Sequence, residues 1–384
     1  MEDRLRVRNP NAATILGLLH RFSITLFVAW SKKQPCFRAI LRFFHRAFTR
    51  RFQEPSRRML ISVIISNFDG AGFLPKLLNS LAAQTGVETE IVIVDRESRD
   101  ESRAILARYN GVKVMTYPAE LGLCAGYAAG ADVASGELLF FANEDLHLHP
   151  DCLYELASRI DPARRIAAAD PWQWTYDGSV WTHGVTRFKP ARCDLYSPDP
   201  GRSFNFTCDF PDGSRTPLAS AGAFLIDRDA YRDVGGWDRS FFLDYEDVDL
   251  FLRLWQQGWH CVGVKSARVF HTANSANTKT TREGIVVPHR RYVSARSNLH
   301  ALALKYYSPM ALTRSAALWP MMLLNNLWQG RWRLAGLDLR GLADLARRLP
   351  ALARYRRSHR TVNRQYPGEL FFRDSEFQIP PASR

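Results

Sequence analysis

Between Leu60 and Asp145 the chain alternates between two textures. LISVIIS (60–66) and EIVIVD (90–95) are apolar runs rich in β-branched residues, the pattern of strands buried on both faces of a parallel sheet. VKVMTY (112–117) and ELLFFANED (137–145) predict two more strands. PKLLNSLAAQ (75–84), DESRAILARYN (100–110) and GYAAGADVA (126–134) carry helical spacing, the first with Pro75 at its start. Strands alternating with helices predict right-handed βαβ units and a mostly parallel central sheet flanked by helices, an α/β fold.

Ligands of such sheets sit beyond the carboxyl ends of the strands. The polar residues at those ends are Ser66, Asn67, Asp95, Asn143, Glu144 and Asp145. Any of them can simply serve a turn. Asp145 stands out because it follows an unbroken LLFF run with a second acid beside it. Adjacent carboxylates repel unless a cation joins them, and hard oxygen ligands suit Mg²⁺ or Mn²⁺. Downstream, LASAGAFLIDRDAYRDVGGWD (218–238) reads as strand, helix and turn. In SFFLDYEDVDLFLRLWQQGWHCV (240–262), Asp244, Glu246, Asp247 and Asp249 gather at a predicted helix start. The helix dipole favours one or two acids there by about 0.3–1 kcal/mol each; four exceed what a cap needs. VFHTANS (269–275) follows a short strand, so a helix and a returning strand can bring His271 back towards Asp247.

The 384 residues have an ordinary globular composition, 46% hydrophobic and 23% charged, but the net charge of +14 is unevenly placed. Residues 1–58 carry a net +10, residues 301–384 a net +9, and the body between them a net −5. The apolar stretch 11–30 approaches the length of a membrane span but is interrupted by His20 and Arg21. A central Arg costs roughly 2.5–3.5 kcal/mol on insertion scales, which favours an interfacial amphipathic helix over a span or a cleaved signal. SAALWPMMLLNNLWQGRWRLAGL (315–337) and LADLARRLPALARYRRSHR (342–360) again mix Trp, Leu and Met with Arg, which suits an anionic membrane surface. The alternative is a helix packed on the protein's own body with a solvated basic face. No RNP, KH, zinc-finger or basic-zipper pattern is visible, so nucleic acid is not the expected partner. Six scattered cysteines without a C-x-x-C pair point to a reducing compartment.

Taken in order, ISVIISNFDG, EIVIVDRESRDES, ELGLCAGYAAGADVASGELLFFANED, AGAFLIDRDAYRDVGGWD, FFLDYEDVDLFLRLWQQGW, ARVFHTANS and RYVSARSNLHALALKYY resemble the inverting nucleotide-sugar glycosyltransferases of family 2, with the GT-A fold. The resemblance runs from about Ile61 to Lys305. Within the family it is most similar to the rhamnosyltransferase-type enzymes of bacterial surface polysaccharide synthesis. It implies a glycosyltransferase that moves a sugar from a nucleotide-diphosphate donor to a glycan or lipid-linked glycan hydroxyl, with Mg²⁺ or Mn²⁺ as cofactor.

The resemblance also implies roles. Ser66, Asn67, Asp95, Asn143 and Glu144 fall to the donor nucleotide, with Asp95 on the base. Asp145 and His271 fall to the metal. Asp247, with Glu246 beside it, is the general base. Gly222, Trp237 and Asp238 fall to the sugar and acceptor. Asn143 stands where the metal motif often has Asp, and Glu120 and Ala128 stand where the family often has Asn. The aromatic insert 171–188 is expected to shape the acceptor site. The implied organisation is a basic extension (1–58), a catalytic domain (59–305, nucleotide half 59–150, acceptor half 151–305) and a basic helical region (306–384). The implied location is cytoplasmic, peripheral on the inner face of the cell membrane. Two other classes stay open. A nucleotidyltransferase on a similar sheet would need a basic triphosphate loop, which NFDGAGF (67–73) lacks. A non-catalytic transferase-like scaffold or nucleic-acid-binding protein also remains, since fold does not guarantee activity.

Overall fold

The computed structural model describes residues 59–179, 181–183, 185–190, 202–207, 211–272, 279–281, 284–286 and 289–371. The basic extension 1–58, including the apolar stretch 11–30, lies outside the described residues. Strands β1 (Leu60–Asn67), β2 (Glu88–Asp95), β3 (Val112–Thr116) and β4 (Leu138–Asn143) alternate with helices α1 (Leu74–Ala82), α2 (Ser102–Leu106) and α3 (Gly122–Asp132). The sequence expectation of βαβ units holds. β1 pairs in parallel with β2 on one side and β4 on the other, and β3 extends the sheet beyond β2. The chain therefore reverses its direction of growth at β1, and the crevice beyond β1 and β4 is the topological switch point where ligands bind. Ser66 and Asn143 are register partners at that edge, as are Asn67 and Asp95.

The second half adds β5 (Leu146–Leu148), α4 (Cys152–Ala157), β6 (Ile166–Thr175), β7 (Trp181–His183), the ribbon β8 (Val185–Pro190) and β9 (Arg202–Thr207), β10 (Arg215–Thr216) and β11 (Ala223–Asp227). It continues with α5 (Arg228–Asp233), α6 (Glu246–Gln256), β12 (His260–His271) and the ribbon β13 (Lys279–Thr281) and β14 (Gly284–Val286). The main sheet runs β10-β12-β6-β11-β4-β1-β2-β3, with β5 on β12 and β7 on β6. β11 is antiparallel to both β4 and β6, and β12 is parallel to β6. Six of the ten strands thus point the same way, an α/β architecture with a mostly parallel sheet.

Alternation along the strands sorts the core into two layers. Ile61, Val63, Ile65 and Phe140 face α1 and α4, while Ile64, Leu139 and Phe141 face α3 and α6. Burial on both faces explains why β1 and β4 read as unbroken apolar runs. α3 starts four residues before the expected Gly126. Its first residue, Gly122, has φ +85° and lies where a Cβ would be 2.5 Å from the Phe242 carbonyl oxygen. That contact, which only glycine tolerates, sets the helix start from across the chain.

Helices α7 (His289–Tyr306), α8 (Pro309–Trp328), α9 (Trp332–Ser358), α10 (Arg360–Gln365) and α11 (Gly368–Phe371) complete the described chain. α7 carries an unusual load of buried polar groups, and α9 answers many of them. Arg296 and Tyr292 meet Asp338, Ser297 donates to Asp344, and Arg348 donates to Asn298 at 2.8 Å. Arg356 caps the end of α7, donating to the Leu304 and Tyr307 carbonyls. Part of the basic C-terminal charge is therefore spent inside the body, and the rest faces outward.

Lys305 is 1% exposed and bridges Asp249 to Asp238, while Arg253 grips the other Asp249 oxygen at 2.6 Å. Lys305→Met removes the cation from a buried pair. Unfolding stability should drop by about 3–5 kcal/mol, read from urea denaturation; a drop below about 1 kcal/mol would show that the network is not what holds α6 to α7.

Candidate active site

The carboxyl edge of the sheet brings three pieces of chain together. The first is the end of β4. Asp145 is fully buried; its Oδ2 accepts from the Thr272 hydroxyl, and its Oδ1 lies 3.1 Å from His271 Nε2. Burial alone favours the neutral acid, but His271 and the Thr272 hydroxyl hold the Asp145 carboxyl below its usual range. Oδ1 nevertheless receives no well-aligned hydrogen bond. His271 Nδ1 lies 3.1 Å from Gln173 Oε1. When that nitrogen donates to Gln173, a neutral ring turns the Nε2 lone pair towards the carboxylate. An octahedral cation at about 2.1 Å from each donor would hold two adjacent ligands about 3 Å apart, which matches the observed gap. Among the described residues no group of three or more His, Cys, Asp or Glu side chains gathers around one point. The pair fits the small protein contribution typical of an ion that keeps most of its shell for phosphate and water.

Glu144 is 7% exposed, and its pKa is pushed up to about 7 by burial and by the neighbouring Asp145 charge, with Arg96 opposing. Arg96 is itself buried, and burial lowers its pKa against the pull of Glu144. Two adjacent carboxyls and a buried guanidinium at the switch point form an electrostatic niche that a bound cation or anion would rebalance.

The second piece is the turn before α6. Asp244 and Tyr245 have φ of 70° and 66°, and such left-handed non-glycine residues cost of order 1–3 kcal/mol each. α7 holds them there. Arg291 takes both Asp244 oxygens, at 2.8 and 3.0 Å, Asn298 donates to the Leu243 and Asp244 carbonyls, and Ser294 donates to Leu243. The turn delivers Glu246 and Asp247 at the start of α6. Burial raises both carboxyls, Glu246 with help from Asp247, and Asp247 to about 6 with the Val248 and Ala221 N–H groups opposing.

The third piece is Ser220–Gly222, which joins the other two. Gly222 accepts from the Asn143 N–H at 2.9 Å, and a Cβ there would be 3.2 Å from Asn143 Nδ2 and 3.3 Å from His271 Cε1. The adjacent Ala221 N–H is near enough to the Asp247 carboxyl to oppose the rise in its pKa. Asp145, His271, Asn143, Gly222 and Asp247 therefore share one region, and Ser66 lies under the same edge with an unpartnered hydroxyl.

Trp237 is 3% exposed and stacks on Tyr127 at 5.7 Å, within the aromatic core formed with Phe141 and Phe224. Asp238 is tied to Lys305 at 2.9 Å and serves the α6–α7 network. Asp95 is fully buried, accepting from Asn67 at 2.9 Å and from Arg103 at 3.1 Å, and it clamps the ends of β1 and β2. The site also uses residues that the sequence reading passed over: Arg96, Tyr127, Gln173, Thr272, Arg291, Ser294 and Asn298. The last three sit in RYVSARSNLH at helical spacing, and their shared face was the available signal.

The Tyr127 hydroxyl reaches Asn143 Oδ1 at 2.9 Å and the Ala221 carbonyl at 3.2 Å. Tyr127→Phe leaves those acceptors without their buried donor. The expected loss is about 1–3 kcal/mol of unfolding stability, measured by chemical denaturation; an unchanged midpoint would mean that water replaces the hydroxyl.

Comparison with known proteins sets this geometry in context. The sequence profile of the family described as "Glycosyl transferase family 2" matches residues 62–235. The chain is 30% identical over 271 residues to the uncharacterized protein MT1568 of Mycobacterium tuberculosis, a match covering 68% of this chain and 81% of that one. It is 27% identical over 237 residues to the N-acetylglucosaminyl-diphospho-decaprenol L-rhamnosyltransferase of the same organism, covering 55% of this chain and 76% of the relative. Among solved structures, GalNAc-T7 with UDP, GalNAc and Mn²⁺ superposes with a TM-score of 0.52 at 18% identity. That match covers 66% of this chain and 49% of the solved one, so the chain spans about half of that protein; it speaks for the shared GT-A fold.

Proposed function

The chain belongs to the family 2 glycosyltransferases, and from that premise we propose that it transfers a sugar, with inversion, from a nucleoside diphosphate to a hydroxyl of a lipid-linked glycan, using Asp247 as the base. The observation that supports the reading is the Ala221–Gly222 segment: a Cβ on Gly222 would lie against Asn143 and His271, and the Ala221 N–H opposes the pKa rise of Asp247. A single displacement needs a leaving-group site and a proton acceptor within one substrate's length of each other. The mycobacterial relative named for transfer to a diphospho-decaprenol acceptor supports a lipid-linked acceptor and a rhamnosyl-type donor.

Ser66, Asn67 and Asn143 line the edge where the nucleotide and its phosphates lie. Asp145 and His271 would hold a divalent cation, Mg²⁺ or Mn²⁺; the solved GT-A relative contains Mn²⁺, and such an ion stabilises the charge that develops on the departing diphosphate. Asp247 takes the proton from the acceptor hydroxyl as the new bond to C1 forms. Its raised pKa makes it a stronger base than a surface aspartate while leaving it ionised at neutral pH. Burial and the adjacent Asp247 charge push the Glu246 carboxyl well up, towards the neutral form. Arg291 and Asn298 hold the turn that aims both.

The outward face of the C-terminal helices supports a place on a membrane surface. No described helix is long and apolar enough to cross a bilayer. Met321, Leu324, Trp328, Trp332, Leu339 and Leu349 are nonetheless exposed, Trp328 by 89%, beside the outward-facing Arg333, Arg340, Arg347 and Arg354. Aromatic and aliphatic groups interleaved with arginine suit the headgroup zone of an anionic leaflet. The proposed location is the cytoplasmic face of the cell membrane.

Asp247→Asn should lower transfer by about 10²–10⁴-fold while leaving donor affinity nearly unchanged by calorimetry. Near wild-type turnover would remove Asp247 from the role. In the wild type, kcat/KM should rise with pH through about 6, as the raised carboxyl ionises; a flat profile from pH 5 to about 8 would argue for another base. Chelation with EDTA should stop transfer, and Mn²⁺ or Mg²⁺ should restore it; full activity in metal-stripped protein would refute the cation.

A further inference from the structure

On the side of the C-terminal helices remote from the start of α6, a cavity of about 460 Å³ opens between the α7–α8 junction and the α9–α10 junction. Arg356, Arg357, Arg360 and Arg364 line it, facing Tyr307 and Pro309. The site already described lies at the opposite end of α6: Asp247 is in its first turn, whereas Gln256, in its last, bonds Asn363 of the cavity wall at 3.0 Å. Eleven residues of helix at about 1.5 Å each separate the two.

Among the described residues that line this cavity there is no acid. Arg356 is committed to the Leu304 and Tyr307 carbonyls, and Arg357 donates to Ala353 at 3.3 Å. Among the described residues no hydrogen bond or ion pair engages Arg360 or Arg364. The sole acid from Leu345 to Phe371 is Glu369, which is buried and accepts from the Ser308 N–H at 3.0 Å. Like charges four residues apart, as at Arg356, Arg360 and Arg364, repel one another. An arrangement of this kind gains most from a ligand with several negative oxygens, and the planar guanidinium matches phosphate in particular.

The surroundings say which phosphate. Pro309 opens α8, and the next residue, Met310, is 69% exposed. Met321, Leu324 and Trp328 follow at 60%, 63% and 89%. At 100° per residue these four fall within about 60° of arc, so Met310 at the cavity rim shares a face with the apolar cluster Met321, Leu324 and Trp328 farther along α8, with Thr313, Arg314 and Ala317 exposed between them. A phosphate in the cavity thus has apolar surface beside it, the pairing that a phospholipid presents. We propose that the cavity binds the phosphate headgroup of an anionic lipid and so sets where and how the enzyme sits on the bilayer. This rests on the membrane-surface reading above and adds to it one defined lipid site.

The test is flotation of the full chain with phosphatidylcholine vesicles containing either phosphatidic acid, whose phosphomonoester exposes its oxygens, or phosphatidylserine at matched surface charge. The wild type should prefer phosphatidic acid by about fivefold or more, because a monoester offers the oxygens that an arginine fork grips. R360Q/R364Q should abolish that preference. The control pair R340Q/R347Q, outside the cavity, should weaken binding to both lipids and keep the ratio. Circular-dichroism melting checks that each variant is folded. An unchanged ratio in R360Q/R364Q overturns the cavity assignment and leaves the membrane reading standing. A wild type that floats with no vesicle overturns both. A wild type that shows no lipid preference but binds inorganic pyrophosphate, with loss in R360Q/R364Q, overturns the lipid in favour of a free phosphate ligand.

Discussion

The molecule is organised around carboxylates placed where water cannot solvate them. Such groups must be matched by a cation or remain protonated. Some are matched by the chain itself. Asp249 and Asp238 have Lys305 and Arg253, Asp244 has Arg291, and Asp338 has Arg296. Others are left partly unanswered: Asp145 with an orphaned oxygen, Glu144 with a raised pKa, and Glu246 and Asp247 with raised pKa values at the head of α6. The first group holds helices together. The second lies along one edge of the sheet, and its deficit of positive charge is what a donor complex with a cation would fill.

Backbone strain has the same address. Two successive left-handed residues, Asp244 and Tyr245, are tolerated because Arg291, Ser294 and Asn298 bond the turn from α7. α7 is in turn fixed by α9 through Asp338, Asp344, Arg348 and Arg356. The C-terminal helices are thus part of what holds the turn that leads into Asp247. Their inner face reaches the site through two layers of hydrogen bonds, and their outer face carries the exposed Trp, Met, Leu and Arg side chains.

That division accounts for the basic C-terminal segment. Its arginines follow one compositional theme but have separate fates. Arg348 and Arg356 turn inward and are consumed by α7. Arg333, Arg340, Arg347 and Arg354 recur every seven residues along the solvent side of α9, and Arg360 and Arg364, also exposed, line a cavity. Packing on the body and an outward basic and apolar surface are compatible, because they use opposite faces of one helix.

The sequence by itself determined the βαβ order, the two-sided burial of β1 and β4, and the edge at which Ser66, Asn143 and Asp145 gather. Each of these follows from local periodicity, and a strand buried on both faces can be made only from a continuous apolar run. It did not determine whether a polar side chain at that edge faces the cleft or the interior. It did not show that Asp95 clamps two strands, that Trp237 packs into an aromatic core or that Asp238 pairs with Lys305. It was equally silent on Arg291 and Asn298, whose partners lie 47 and 54 residues away in the chain. Those outcomes belong to the tertiary structure, because the energy of a buried charge is set by neighbours that only folding brings within bonding distance.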